Sequence, residues 1–195
     1  MGQEIECKLS VPDADALSRL RRAFSGQGAE ETSDYETVYF DLGDELSARH
    51  FMFRARKRGS GGAAVYTVKT PGEGYCRGEW ECEAASPEEA AKKLAALGAP
   101  REIAERSTYP VTCGARFTRT AITVCREGSV IELAFDLGKL TAPGASAPVC
   151  ELELELKSGP LAPMTALLGE IMQKYGLREL KKSKYARARA LTGAK

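Results

Sequence analysis

From residue 3 to residue 10 the chain alternates charged and apolar side chains. Glu4, Glu6 and Lys8 fall on one face of a predicted strand, with Ile5, Cys7 and Leu9 on the other, because successive strand residues point to opposite faces. The same pattern returns far downstream. Glu151, Glu153, Glu155 and Lys157 share one face there, opposite Leu152, Leu154 and Leu156. Between these stretches, residues 51–58 set Arg54, Arg56 and Arg58 against Phe51, Phe53 and Ala55. Residues 65–69 return after a Ser60-Gly61-Gly62 turn, with Thr67 and Lys69 on one face. Residues 76–84 place Arg77, Glu79, Glu81 and Glu83 opposite Trp80 and Cys82. Further strands are predicted over 37–41, over 115–126 with Arg116 and Arg119, and over 130–137. In the last of these, Glu132, Ala134 and Asp136 face away from Ile131, Leu133 and Phe135.

Helical periods separate the strands. Pro12 opens a helix to about Gln27 with an apolar stripe of Leu17, Leu20 and Phe24. Ser86-Pro87-Glu88-Glu89 reads as a capping box for a helix to Leu97, stopped at Gly98. Pro163 starts a helix carrying Leu167, Leu168, Ile171 and Tyr175, ended by Gly176. Residues 142–148 read as a loop of small residues, and 180–191 as a basic helical tail.

About eight strands, each with one apolar and one charged face, suffice to close a barrel. The helices need an apolar sheet surface to cover, so the charged faces turn inward. The expectation is therefore α+β: a closed eight-stranded antiparallel barrel with a charged lumen and helices on its outside. An unpaired buried charge costs on the order of tens of kcal/mol. A lumen lined by both signs must be wet and must hold a ligand that is itself highly charged. A polyanion gripped by Arg and Lys, with a divalent metal joining it to the Glu rows, satisfies both. All-oxygen donors of this kind suit magnesium or manganese.

Composition narrows the partners. The 195 residues are 43% hydrophobic, enough for a core, and the net charge of +1 gives no overall pull towards nucleic acid or anionic membrane. No run is long enough for a transmembrane helix and no secretory signal is seen. Met1-Gly2 is followed by Glu6 where a myristoylation signal needs Ser or Thr. Cys7, Cys76, Cys82, Cys113, Cys125 and Cys150 form no CxxC pair and read as buried free thiols. The expectation is a cytoplasmic protein. His50, the single histidine, reads as a loop residue rather than a base, and Tyr39 and Asp41 as structural.

In ordered motifs the chain resembles the CYTH family of triphosphate tunnel metalloenzymes. The motifs are Glu4-x-Glu6-x-Lys8, Tyr39-Phe40-Asp41, Phe53-Arg54-Ala55-Arg56, Thr67-Val68-Lys69, Arg77-x-Glu79, Arg119, Glu132 with Asp136-Leu137-Gly138, Glu151 to Leu156, and Ser183-Lys184-Tyr185-Ala186-Arg187. Phe53 stands where the family usually has an aliphatic residue. The match covers nearly the whole chain, read as one domain over 1–195. The helical CHAD domain that follows in some relatives is not part of these residues. Gln3 to Glu6 and Cys150 to Leu156 look most like the bacterial inorganic triphosphatases.

The resemblance implies a tunnel that binds triphosphate with Mg2+ or Mn2+ and hydrolyses inorganic triphosphate, which carries roughly four to five negative charges near neutral pH. It implies Lys8, Arg54, Arg56, Lys69, Arg77, Arg119, Lys184 and Arg187 as substrate-binding residues. Glu4, Glu6, Glu151, Glu153 and Glu155 are implied metal ligands. Glu4, Glu6 and Lys8, with Glu79, Glu132 and Asp136 completing the shell or positioning water, form the implied catalytic set. Other uses of such a tunnel are hydrolysis of thiamine triphosphate or a nucleoside triphosphate, an adenylate cyclase of class IV, or a non-catalytic polyphosphate sensor.

Overall fold

A computed structural model describes residues 2–41 and 43–193; Met1, Leu42, Ala194 and Lys195, which belong to the expected 1–195 domain, lie outside the described residues. The strands are β1 (Gly2–Ser10), β2 (Ala29–Phe40), β3 (Met52–Arg58), β4 (Val65–Thr70), β5 (Cys76–Glu83), β6 (Val111–Arg126), β7 (Ser129–Ala142), β8 (Ala145–Ser158) and the short β9 (Arg178–Glu179). They pair in the order β5-β4-β3-β2-β6-β7-β8-β1, and β1 also pairs with β5. That last pairing, Glu4 opposite Arg77 among others, closes eight antiparallel strands into a barrel. β9 extends the same edge of β1 beyond β5. Closure leaves no open edge between β1 and β5.

The helices are α1 (Ala14–Phe24), α2 (Glu45–Ala48), α3 (Pro87–Ala96), α4 (Leu161–Tyr175) and α5 (Lys184–Ala190). α1 starts where Asp13 accepts the Ala16 N–H at 2.8 Å, slightly inside the expected span. At α3 the Ser86 hydroxyl accepts the Glu89 N–H, and the Glu89 carboxylate reaches back to Ala85 N–H at 3.0 Å. α4 ends at Gly176 with φ 65°, a left-handed backbone that favours glycine.

Two apolar layers hold the helices to the outside of the barrel. Leu9, Ile131, Leu133, Leu152 and Leu154 pack against Leu17 and Leu20 of α1 and Leu167 and Ile171 of α4. Phe53, Val68 and Trp80 pack against Leu46 of α2 and Ala90 and Leu94 of α3. A third cluster lies within one end of the barrel. There Tyr39, Ala115, Phe117, Leu140 and Val149 surround Tyr185 and Ala188 of α5. The C-terminal helix thus fills one end of the lumen, and the charged residues occupy the rest.

Two sequence expectations change. Residues 142–148 are not a loop: β7 and β8 run through them to a tight turn at Pro143-Gly144. Small side chains there permit close strand pairing and simply lack a hydrophobic signal. β2 begins eight residues before Thr37, because Ala29 to Asp34 pair with β6 while exposing polar side chains on both faces. All six cysteines are free; Cys7 and Cys113 are buried, whereas Cys125 is exposed. Among the described residues no helix is long and apolar enough to cross a membrane.

Candidate active site

Strand register assembles the lumen into rows. Glu6 of β1 stands opposite Glu155 of β8, which stands opposite Glu132 of β7. Directly opposed side chains lie about 5 Å apart, so this is an acidic stripe across three strands. One step along, Lys8 faces Glu153. The next row runs from Glu151 to Asp136 to Arg119. On the other wall Glu4 faces Arg77, Lys69 faces Glu79, and Arg54 faces Thr67.

The deepest row is neutralised by the protein itself. Asp136 and Glu151 are fully buried, and with Glu153 their oxygens converge within 4.8 Å, a spacing that could hold a metal. The Lys184 ammonium lies among them instead, 2.6 Å from Asp136, 3.0 Å from Glu153 and bonded to Glu151. Arg119 binds Asp136 with two hydrogen bonds of 2.7 Å and also reaches Glu153, while Arg187 bonds Glu151. Three carboxylates therefore meet three cations. Burial pulls Lys184 and Arg119 down, but the carboxylates outweigh it and raise both. Burial raises Glu153, yet Lys184, Arg119 and Lys8 drive it well below the usual carboxylate range.

Of the outer carboxylates, Glu4 and Glu155 are the less stabilised as anions. Burial lifts Glu4 to about 7 against Lys69, with Glu6 and Glu79 adding repulsion. Burial acts on Glu6 too, but Lys69, Lys8 and Arg77 bring it to about 2. Glu155 is raised by burial, only partly relieved by Lys157 at 2.8 Å. Glu4, Glu6, Glu132, Glu153 and Glu155 line one cavity of about 1020 Å³. They offer only hard oxygen atoms, which fit a hard divalent cation, although Glu6 and Glu153 are already engaged by lysine and arginine side chains.

Two arginines in the same cavity are weakly compensated. Arg54 approaches Glu79 and Glu81 no closer than 3.9 and 3.7 Å, and its Nε is buried without a partner. Arg56 forms no ion pair among the described residues; its Nε donates to Thr37 Oγ1 at 3.1 Å. Burial, then Arg54 and Arg119, lower Arg56 to about 10, which leaves it charged at neutral pH.

Of the residues singled out from sequence, Glu4, Glu6, Lys8, Arg54, Arg56, Lys69, Arg77, Glu79, Arg119, Glu132, Glu153, Glu155 and Lys184 line the cavity. Asp136, Glu151 and Arg187 stand behind that wall. Sequence reasoning placed Lys157 on the face of Glu151, Glu153 and Glu155 but gave it no role in the site, where it lines the cavity. It also missed Lys181 and Lys182, and the part of the lining made by His50, Phe51 and Met52.

The fold is a closed antiparallel barrel, a tunnel whose lumen sets arginines against an acidic stripe. The CYTH domain model matches residues 2–188, and the chain belongs to that family. Its fold is similar to that of a Hippeastrum protein with a dominant triphosphatase activity, at 20% identity over 96% of this chain and 95% of that one, TM-score 0.67. It is also similar to an adenylate cyclase candidate from Bacillus halodurans, at 17% identity over 94% and 96% of the chains, TM-score 0.58. The RNA triphosphatase domain of the mimivirus mRNA capping enzyme matches at 12% identity over 89% and 87%, TM-score 0.54.

Proposed function

We propose that the protein is a metal-dependent hydrolase that splits inorganic triphosphate into pyrophosphate and phosphate. The observation that carries this reading is the pairing of undercompensated Arg54 and Arg56 with the Glu6–Glu155–Glu132 stripe in one cavity. Arginine without a close carboxylate is poised for an anion, and its fork geometry suits phosphoryl oxygens. In the stripe Glu6 is held by Lys8 and Arg77, while Glu155 and Glu132 share the single Lys157, so the Glu155–Glu132 end is the part poised for metal.

In this reading Arg54, Arg56, Arg119, Lys69, Lys8 and Arg77 bind the phosphoryl oxygens. Glu4, Glu6, Glu132, Glu153 and Glu155 would hold Mg2+ or Mn2+, which would supply charge against those oxygens when bound. Glu79 and Glu132 orient the attacking water and take up its proton. Water adds to a terminal phosphorus, the bond from that phosphorus to the bridging oxygen breaks, and pyrophosphate leaves on the opposite side. Asp136 and Glu151 hold Arg119, Lys184 and Arg187 in place rather than touching substrate.

Purified protein with Mg2+ or Mn2+ should release phosphate from tripolyphosphate, and Glu4→Ala or Glu6→Ala should abolish release while the fold persists. Full activity in both variants rejects the metal site. Binding of tripolyphosphate without turnover by the wild type would instead indicate a sensor. One observation favours a second reading: the cavity is also lined by Phe51, Met52 and His50, against which an organic group on the triphosphate could rest. A panel with thiamine triphosphate and ATP, scored for phosphate and for cyclic AMP, separates the two.

A further inference from the structure

Phe117 belongs to the apolar cluster around α5 and stands at its border with the charged lumen. It lies on β6 two residues before Arg119, on the same face of the strand, and is 4% exposed. Three cations surround it. Lys184 Nζ is 5.0 Å from the ring centroid, the Arg56 guanidinium carbon 5.3 Å and that of Arg119 5.8 Å. Tyr35, directly across the β2–β6 pair, stacks on Phe117 at 5.6 Å with an interplanar angle of 27°. Arg56 is also 5.3 Å from the Tyr35 ring.

The three cations are not equivalent. Arg119 and Lys184 are each held by carboxylates, and their position needs no ring. Arg56 is not; apart from its bond to Thr37, the two rings are what hold it. The face of an aromatic ring attracts a cation through its quadrupole but carries no net charge. A carboxylate in that place would fix Arg56 equally well and cancel its charge. The ring fixes it and leaves the charge whole.

The backbone that carries the ring is closely packed. Gly138 of β7 stands opposite Phe117, and a Cβ there would come within 2.6 Å of the Phe117 Cβ. Glycine is what lets the β7 backbone approach the Arg116–Phe117 backbone of β6 so closely.

We propose that Phe117, backed by Tyr35, is a positioning residue that holds Arg56 as an uncompensated cation for a phosphoryl group. This rests on the reading of Arg56 as an anion-binding residue. Phe117 acts through Arg56 and touches no substrate.

The test is a double-mutant cycle. Phe117→Leu keeps the site apolar and removes the ring; Arg56→Met keeps length and removes the charge; Phe117→Tyr keeps the ring. Affinity for tripolyphosphate is measured by calorimetry, KM and kcat by phosphate release, and folding by thermal melting. Phe117→Leu should weaken binding and raise KM by about 5- to 30-fold, the range expected of a desolvated cation–ring contact. It should change kcat less than about two-fold, and Phe117→Tyr should stay near wild type. In the Arg56→Met background the same Phe117→Leu change should have less than about a two-fold effect.

Equal weakening with and without Arg56 overturns the inference, as does a loss confined to kcat or unchanged affinity in folded Phe117→Leu. If Phe117→Leu does not fold, an affinity change in Phe117→Tyr as large as that of Arg56→Met overturns it, and near-normal affinity supports it. A wild type that binds tripolyphosphate without cleaving it overturns the triphosphatase reading alone, since the binding cycle still runs. A wild type that does not bind overturns both.

Discussion

Lys184 Nζ lies 2.6 Å from Asp136 Oδ2, so the C-terminal helix is joined to the middle of the barrel by a buried ion pair. Lys184 is 5% exposed and Asp136 is fully enclosed. Removing one partner strands charge where water cannot reach it. Lys184→Met should cost about 3–5 kcal/mol of stability, measured by urea unfolding. Adding Asp136→Asn to that variant should restore part of the loss, because the stranded charge is then gone. A cost below about 1 kcal/mol for Lys184→Met would mean that the pair is solvated.

Glu4 and Glu6 stand two residues apart on one strand, yet their pKa values diverge to about 7 and about 2. The signs follow from an ordinary value of 4.5. A raised carboxyl such as Glu4 contributes stability below pH 4.5 that is lost as pH rises through 7. A depressed one such as Glu6 contributes stability above pH 4.5 that is lost as pH falls towards 2. Metal needs the ionised form, so affinity for Mn2+ should rise about ten-fold between pH 6 and pH 8 and level off above. Calorimetric titration across that range measures it. Glu4→Gln should bind more weakly and flatten the profile; an unchanged profile would remove Glu4 from the titration.

The lumen was legible because period-two alternation of charge over Glu4–Lys8, Arg54–Arg58 and Glu151–Lys157 is a property of single strands. What a strand cannot reveal alone is its register. Glu132, Glu155 and Glu6 lie on three strands, and only pairing shows them as one stripe. The same limit hid the Lys184 socket. A run such as Lys181-Lys182-Ser183-Lys184 looks like a solvated tail, and its third lysine is buried only because β7 and β8 present carboxylates to it. Residues 29–34 were missed for another reason: with both faces polar, they have no alternation to read, and pairing with β6 alone makes them a strand.

Arg54 and Arg56 should divide from Arg58, although all three alternate along β3. Arg58 is exposed, engaged with Glu31, and bonded to Ser33 at 2.7 Å. Arg54 and Arg56 face the cavity without a close carboxylate. Hydrogen bonds to a charged group are worth about 1.5–3 kcal/mol. Arg54→Met and Arg56→Met should therefore each raise KM for tripolyphosphate by about 10- to 100-fold. Arg58→Met should change it less than about two-fold. Steady-state kinetics on the three variants decide the matter, and a similar effect at Arg58 would mean that the alternation alone, not the missing carboxylates, marks the site.

Asp41 ties the two ends of the chain's polar network together. Its carboxylate accepts N–H groups of Leu46 at 2.9 Å and Ser47 at 3.1 Å, at the start of α2, and the Tyr185 hydroxyl of α5 at 3.0 Å. Burial raises this carboxyl, but those hydrogen bonds outweigh it and lower it, so its contribution is lost only as pH falls below the ordinary carboxylate range. Tyr185→Phe removes one neutral donor and should cost about 1 kcal/mol. Asp41→Ala strands several donors at once and should cost on the order of 3 kcal/mol. Because Tyr185 and Lys184 are neighbours on α5, both changes should also loosen that helix. Trypsin cleavage after Lys181 and Lys182 should then accelerate more in Asp41→Ala than in Tyr185→Phe. If cleavage there stays at the wild-type rate while stability falls, α5 is held by Lys184 and its apolar contacts, and Asp41 serves α2 alone.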